Sequence, residues 1–182
     1  MKELSLHILD IAENSVRANA TRIDIDIRET EHRLTFTVRD NGHGMTEDFL
    51  RTVIDPFATT RTTRSVGLGI PLLKLAAEQS GGSLRITSRH ISEHPDHGTT
   101  LCADFDKTSI DYVPLGNMAE TVCTLLQGRP QIDFVFTHIC GAHTAELDTR
   151  ELRQVLGDVP LNTPEVLDWV KSSLCEAYHN FK

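Results

Sequence analysis

Residues 20–44 read ATRIDIDIRETEHRLTFTVRDNGHG, and this stretch decides the fold. Isoleucine occupies every second position of residues 23–27, and leucine, phenylalanine and valine do the same over residues 34–38. A period of two is typical of strands with one buried face. The polar turn at residues 29–32 joins the two runs, which predicts a hairpin ending in the glycine-containing turn of residues 40–44.

The segments on either side of this hairpin predict helices and two more strands. Residues 4–20 contain no glycine or proline and are apolar over most of a helical circumference, which predicts a buried first helix. We expect a short helix near residues 46–54, then a threonine-rich loop, then a third helix from Pro71 to Gln79. Two strands, Leu84 to Arg89 and Thr99 to Phe105, form a second predicted hairpin.

The pattern changes after this hairpin. We predict a helix at residues 116–126, a strand at residues 132–139 and then two helices. Asp148 can cap the first of these, with Glu151 three residues on, and Thr163-Pro164 begins the second.

The chain is therefore predicted to have two domains. The first occupies residues 1–107, and residues 108–182 form a small α+β appendage with a regulatory or interaction role.

Composition limits the class of protein. Apolar residues make up 39% of the 182 residues and charged ones 24%, as in ordinary globular domains. The formal charge of −8 would repel a phosphate backbone, so no nucleic-acid partner is expected. No apolar run approaches the roughly 18 residues of a membrane span, and no signal-type block follows the N-terminus, so we expect a cytoplasmic protein without a membrane partner. The four cysteines form no CxxC pair, which disfavours a disulfide framework or a zinc ribbon.

The first polar cluster lies on the first predicted helix. Asp10 and Asn14 are four residues apart and share one face, whereas Glu13 lies on an adjoining face. The amide oxygen of Asn14 could complete a magnesium shell made mainly of water and phosphate oxygens, and Asp10 could act as a base near a terminal phosphate. The alternative is that these residues are only the solvated stripe of an amphipathic helix.

Two further clusters follow predicted strand and loop ends. Asp40 can accept a hydrogen bond from the exocyclic amino group of adenine, and Gly42 allows a flat base to approach the backbone; an ordinary Asp-Asn-Gly turn is the alternative. Gly67-Leu68-Gly69 opens a helix, where free backbone N–H groups suit phosphate, although one GxG is weak support. Arg61 and Arg64 in the preceding loop suit one polyphosphate. The chain has no GxxxxGK[ST] motif.

The order of these clusters resembles the superfamily of DNA gyrase, the heat-shock chaperone, histidine kinases and mismatch-repair ATPases. AENSVRANATRIDIDI resembles the N box, VRDNGHGM the first glycine box, DPFATTRTTRSVGLGIPLLK the histidine-kinase lid and second glycine box, and Gly98-Thr99-Thr100 the final box. The resemblance covers about residues 3–106. It implies a Bergerat-type two-layer α/β sandwich, of class α+β, with a mixed sheet, helices on one face and the nucleotide between helices and lid.

The resemblance also implies the ligands and the residues that hold them. ATP and Mg2+ are the implied cofactors, with Asn14 at the magnesium position. Asp10 is the candidate base and Glu13 a weaker one. The implied nucleotide-binding residues are Asn14, Asp40, Gly42, Gly44, Met45, Thr59, Thr60, Arg61, Arg64, Gly67, Leu68, Gly69 and Thr99.

Two departures from the family pattern bear on activity. ATP-hydrolysing members usually carry glutamate four residues before the magnesium asparagine, where this chain has the shorter Asp10. No dimerising helix with a phospho-accepting histidine precedes the N box, so we expect no ordinary autophosphorylating sensor kinase. The sequence also resembles stand-alone ATP-binding proteins that accompany iron-only hydrogenase genes in anaerobic bacteria, which suggests a bacterial regulatory setting.

Three functions follow from this reasoning. The first is a protein kinase that phosphorylates a partner protein in trans, on histidine or serine. The alternative is an ATP-dependent switch, in which ATP closes the lid and alters a partner-binding surface on the appendage, with slow hydrolysis. A magnesium-dependent hydrolase with Asp10 as base ranks third. A second copy of the chain is a further candidate partner.

Two groups of histidines raise the question of a transition-metal site. His90, His94 and His97 lie close in sequence with Asp96, and another group occupies residues 138–143. Their spacing is irregular and both adjoin predicted loops, so solvated loop histidines are the favoured interpretation.

Overall fold

The computed structural model describes residues 2–54 and 68–181. The helices are α1 (Leu4–Arg17), α2 (Glu47–Ile54), α3 (Gly69–Gln79), α4 (Met118–Gly128), α5 (Thr149–Leu156) and α6 (Pro164–His179). The strands are β1 (Arg22–Glu29), β2 (Arg33–Asp40), β3 (Ser83–Arg89), β4 (Gly98–Asp106), β5 (Asp133–Cys140) and β6 (His143–Asp148). The strands form one mixed sheet in the order β3-β4-β2-β1-β5-β6, in which only the β1–β5 pair is parallel among the described strands.

The predicted α+β sandwich is confirmed. Alternate residues of β1, β2 and β5 are buried on one face of the sheet, as the period of two predicts. Helices α1, α3, α4 and α6 cover that face and share a single apolar core with it. The opposite face, which we call the open face, carries the charged and threonine residues that alternate with the buried ones.

Helix boundaries follow local sequence signals. Helix α1 ends at Arg17, three residues before the predicted end, and Asn19 just after it has a positive φ of 59°. Asp148 caps α5 as predicted, because its side chain accepts a hydrogen bond from the Arg150 N–H. Pro164 begins α6 directly after Thr163.

The part after residue 107 contains a strand that the sequence did not predict. Residues 143–148 form β6, which pairs with β5. The sequence did not predict this strand because the alternation of buried Ala145 and Leu147 with exposed or half-buried residues is too short to be recognised. Strand β5 pairs in parallel with β1, with Ile25 opposite Phe136. Residues 108–182 therefore extend the same sheet, and the division at residue 107 stays a prediction.

A buried polar group lies where β1, β5 and the end of α6 meet. Nε2 of His138 lies 3.2 Å from a Glu29 oxygen, although its alignment is poorer than that of a good hydrogen bond, and Nδ1 lies 3.0 Å from the Tyr178 hydroxyl. Lys107 donates to the other Glu29 oxygen at 2.7 Å. These contacts tie the C-terminal helix to the central strands.

None of the helices in the described ranges is both long enough and apolar enough to cross a membrane.

Candidate functional site

A cavity of about 290 Å³ lies between the covered face of the sheet and helices α1, α2 and α3. Five predicted site residues line it: Asn14, Asp40, Gly44, Met45 and Thr99. The rest of its wall is mainly apolar and includes Ile11, Val38, Phe49, Val53, Ile70, Ile86 and Leu101. An apolar cavity with a few converging polar groups is typical of a small-molecule site.

The carboxylate of Asp40 is the polar centre of this cavity. Its Oδ2 accepts a hydrogen bond from the Ser15 hydroxyl at 2.7 Å. Its Oδ1 accepts from the N–H groups of Gly42 at 2.9 Å and Thr99 at 3.3 Å. These three donors fix the orientation of the carboxylate at the end of β2.

Thr99 belongs to a second small hydrogen-bonding group on the cavity wall. Its hydroxyl lies 2.8 Å from that of Ser88. The Ser88 hydroxyl also accepts from the Met45 N–H at 2.8 Å. Thr99 and Met45, which the sequence placed in different boxes, are thus joined through Ser88.

The glycines near Asp40 serve the protein's own packing. A Cβ on Gly42 would lie 2.8 Å from the Cβ of Ala18, and one on Gly44, whose φ is +69°, would overlap the carbonyl oxygen of Arg89. Larger residues would push apart the turn and the neighbouring strand end. Both glycines thus have a packing role, and the predicted approach of a base to the Gly42 backbone stays a prediction.

The polar residues of α1 point in two directions. Asn14 faces the cavity, and its Oδ1 accepts from Arg17 at 3.2 Å. Glu13 instead pairs with Arg129, just after α4, at 3.2 Å. Asp10 lies one turn before Asn14 and packs against Gly69, where a Cβ would overlap its Oδ2 atom. Asp10 is therefore the α1 carboxylate nearest the beginning of α3.

The beginning of α3 offers backbone donors. Leu68 is the N-cap residue and supplies no side-chain hydrogen bond to the helix. The first N–H groups of an uncapped helix favour an anion. Leu68 is exposed and Gly69 half-buried, so these donors lie near the surface.

Five predicted site residues lie outside the described residues. They are Thr59, Thr60, Arg61, Arg64 and Gly67.

The structure adds residues that the sequence reasoning missed. Ser15 and Ser88 hold Asp40 and Thr99, yet each contacts a residue far away in sequence. No spacing rule connects positions 15 and 40. The sequence also did not predict that the apolar residues of the cavity wall line one site, because each of them has the pattern of an ordinary core residue in its own helix or strand.

The polar side chains of α1 that lie near the cavity are of a kind that fits an oxygen-ligated divalent ion. Asn14 and Asp10 offer hard oxygen atoms on one helix face. Within residues 2–54 and 68–181, no three His, Cys, Asp or Glu side chains are grouped to hold a metal ion. His97 instead contacts the Gly42 carbonyl through Nδ1 at 2.6 Å, and His90 contacts Ser92 at 2.7 Å.

Fold and cavity together are those of a two-layer α/β sandwich with a small-molecule cavity between the sheet and the helices. Residues 2–109 match the family profile described as "Histidine kinase-, DNA gyrase B-, and HSP90-like ATPase", which covers more than half of the chain. The chain belongs to this family.

The known proteins similar to this chain include a kinase and the ATPase domain of MutL. Sporulation kinase A of Bacillus subtilis (strain 168) is 31% identical over 107 residues, which are 59% of this chain and 16% of the kinase. The chain thus spans less than a fifth of that relative. The solved ATPase domain of Aquifex aeolicus MutL, complexed with ADP, has a TM-score of 0.51 at 13% identity, covering 86% of this chain and 69% of that domain.

A second solved structure, the N-terminal domain of a DNA repair protein, has a TM-score of 0.55 at 14% identity. It covers 81% of this chain and 53% of that one. Both structural matches show the fold alone, and both extend beyond the part covered by the family profile.

Proposed function

We propose that the chain binds ATP with Mg2+ in the cavity described above and acts as a protein kinase that phosphorylates a partner protein. The environment of Asp40 is the observation that carries this proposal. An ionised carboxylate can accept about four hydrogen bonds, and Asp40 accepts three from Ser15, Gly42 and Thr99. One acceptor position remains for the exocyclic amino group of adenine. Guanine presents a carbonyl oxygen at the corresponding atom, which would meet the carboxylate as a second acceptor.

The rest of the cavity suits the base and the phosphates. Apolar side chains such as Ile11, Ile86 and Leu101 would pack on the two faces of the purine. The α3 N-terminus at Gly69 offers N–H groups to the phosphates. Asn14, with Asp10 one turn away, would hold Mg2+ through oxygen atoms; the ion neutralises phosphate charge when bound. The ADP complex of the MutL ATPase domain supports an adenine nucleotide as the ligand.

Similarity to a sporulation kinase supports phosphoryl transfer. Transfer would break the bond between the γ-phosphorus and the β–γ bridging oxygen, releasing ADP, and form a bond to the acceptor oxygen or nitrogen of the partner. The acceptor's proton passes to the carboxylate of Asp10 or to water. Glu13 is turned away by its ion pair with Arg129, so Asp10 is the better placed base.

Two experiments test this proposal in order. Calorimetry should detect association of the folded protein with ATP and Mg2+, and absence of heat would overturn the nucleotide site. The chain should then transfer label from ATP to a partner protein whose gene adjoins its own. The Asn14→Ala variant should transfer no label. Tight ATP binding without label on any such partner would leave the kinase proposal without support.

The contacts of α1 favour a second candidate function, an ATP-dependent conformational switch with slow hydrolysis. The backbone N–H groups of Leu4 and Ser5 donate to Pro114 and Leu115 at 2.9 and 2.7 Å. With the Glu13–Arg129 pair, these contacts join the helix of the candidate site to residues 108–182. A shift of α1 on binding ATP would therefore also move the surface of residues 108–182. Partner affinity in ATP and in ADP separates the two functions, because equal affinities remove the switch.

A further inference from the structure

The open face of the sheet carries a groove that shares Asp40 and Thr99 with the candidate nucleotide site, whereas its other lining residues do not line the cavity of that site. The groove has a volume of about 860 Å³ and lies at the end of the sheet where β2 and β3 finish and β1 and β4 begin. Its lining includes Arg22, Asp24, Arg39, Thr87 and Thr100. These residues are cross-strand neighbours, since Asp24 lies opposite Arg39, Arg39 opposite Thr100, and Thr100 opposite Thr87.

Most arginines of the open face are neutralised by carboxylates on the same face. Arg22 pairs with Asp24 at 2.7 Å and Arg28 with Asp26 at 2.9 Å. The further pairs are Arg33 with Asp104 and Arg89 with Asp96.

Arg39 and Arg85 are exceptions. Both are exposed, and neither forms an ion pair within the described residues. Two exposed arginines without ion pairs on the same face, in a chain of net charge −8, indicate a surface that attracts a negatively charged partner.

We propose that this groove, together with the adjoining Arg85 on β3, binds an acidic segment of a partner protein in extended conformation. Arg85 does not line the groove itself and lies two residues before Thr87, which does. The register places Arg39 opposite Thr100 and Arg85 opposite Cys102, so the two arginines are two strands and two residues apart. That offset corresponds to roughly 12 Å between their Cα atoms, given about 4.8 Å between strands and about 3.4 Å per residue. An extended peptide spans the same distance in four residues, so two acidic residues at positions i and i+4 would reach both guanidinium groups.

The groove's own charges favour a peptide over a polyanion. Asp24, Asp40 and Asp96 line the same groove and offset the charge of its arginines, which disfavours the continuous phosphates of a nucleic acid. A peptide can place neutral residues beside those carboxylates. The hydroxyls of Thr87 and Thr100 lie between the two arginines and can hydrogen-bond to a peptide backbone.

Fluorescence anisotropy with a labelled nonapeptide tests the proposal. The probe consists of glycine and serine with two glutamates four positions apart, and the matched peptide carries glutamine instead. The full chain should bind the glutamate peptide and not the glutamine peptide. Arg39→Glu combined with Arg85→Glu should weaken binding by about tenfold or more, since two attractive contacts become repulsive.

Arg28→Glu is the control, because Arg28 is on the same face but at the far end of β1 from the groove, and it is already paired with Asp26. It should change the affinity by less than about twofold. Each variant should keep the wild-type thermal unfolding transition. ATP affinity, measured separately, shows whether Arg39→Glu, next to Asp40, also disturbs the nucleotide site. The proposal is overturned if the folded protein shows no binding of the glutamate peptide, if Arg28→Glu weakens binding as much as the double variant, or if an oligothymidylate binds more tightly than the peptide.

Discussion

The carboxylate of Asp10 packs against Gly69 so closely that a methyl group on residue 69 would overlap its Oδ2 atom. This contact joins the candidate base on α1 to the beginning of α3, where phosphates are expected. Residue 69 cannot become larger unless the carboxylate of Asp10 moves, because the Oδ2 atom occupies the position of an added Cβ.

Gly69→Ala should therefore weaken ATP binding and lower stability. The control is Gly128→Ala at the end of α4, where an added Cβ meets nothing within 4 Å and the change should be neutral or stabilising by about 0.5–1 kcal/mol. Asp10→Ala removes the obstructing atom, so the stability cost of Gly69→Ala should shrink in the double variant. Urea unfolding of wild type, Gly69→Ala, Asp10→Ala and the double variant measures this coupling, and additive effects would show that the two residues do not interact.

Asp40→Asn should reduce ATP affinity by about 1–3 kcal/mol, roughly 5- to 150-fold, because a carboxamide offers one acceptor atom where the carboxylate offers two. Ser15→Ala should cause a smaller loss, since it removes one of three donors that orient Asp40. Calorimetry with ATP and GTP measures both. A Ser15→Ala loss larger than that of Asp40→Asn would show that Ser15 contacts the nucleotide itself.

The two carboxylates of α1 should have separable roles. Asp10→Asn should abolish phosphoryl transfer or hydrolysis, whereas Glu13→Gln should leave the rate within a few-fold of wild type. Glu13 and Arg129 are each more than a quarter exposed, so breaking their pair should cost no more than about 1 kcal/mol of stability. Initial rates at saturating ATP show which carboxylate acts as the base. An inactive Glu13→Gln enzyme together with an active Asp10→Asn enzyme would assign that role to Glu13.

The sequence predicted the central hairpin well because its information is local. Ile25 and Phe36 follow a strict alternation, and they are buried as the alternation requires. The placement of Asp40, Asn14 and Thr99 around one cavity came from the family resemblance, since no periodicity connects them.

What was missed depends on contacts distant in sequence. The pairing of β5 with β1, the strand β6 and the bond from Ser15 to Asp40 each join segments whose own patterns say nothing about a partner. Tertiary contacts of this kind decide where a short amphipathic segment lies.

The buried group around Glu29 should make stability depend on pH. The imidazole of His138 and the ammonium of Lys107 lower the pKa of Glu29 below its ordinary value of 4.5. A depressed carboxyl pKa contributes stability above that ordinary value, and the contribution is lost as pH falls through the folded pKa. Burial also raises the pKa of Tyr112 to about 12, which keeps its phenol neutral beside Glu29.

Glu29→Gln should therefore lower stability at pH 7 and flatten its decline below pH 4.5. Glu31→Gln, an exposed neighbour, is the control and should keep the wild-type slope. Urea unfolding at closely spaced pH values measures both. Parallel slopes for wild type and Glu29→Gln would mean that Glu29 has no shifted titration in the folded state.

Removing residues 108–182 should destabilise residues 1–107 severely. In the intact chain β1 is a central strand, paired with β2 on one side and β5 on the other, so truncation would leave its second edge open. Truncation would also uncover the side of α1 that packs on α4. Circular dichroism and urea unfolding of a chain ending at residue 107 should show lost cooperativity or association. A cooperative monomer with wild-type ATP affinity would instead establish the first 107 residues as an independent domain, and the two C-terminal strands would then be an addition to a sheet that is complete without them.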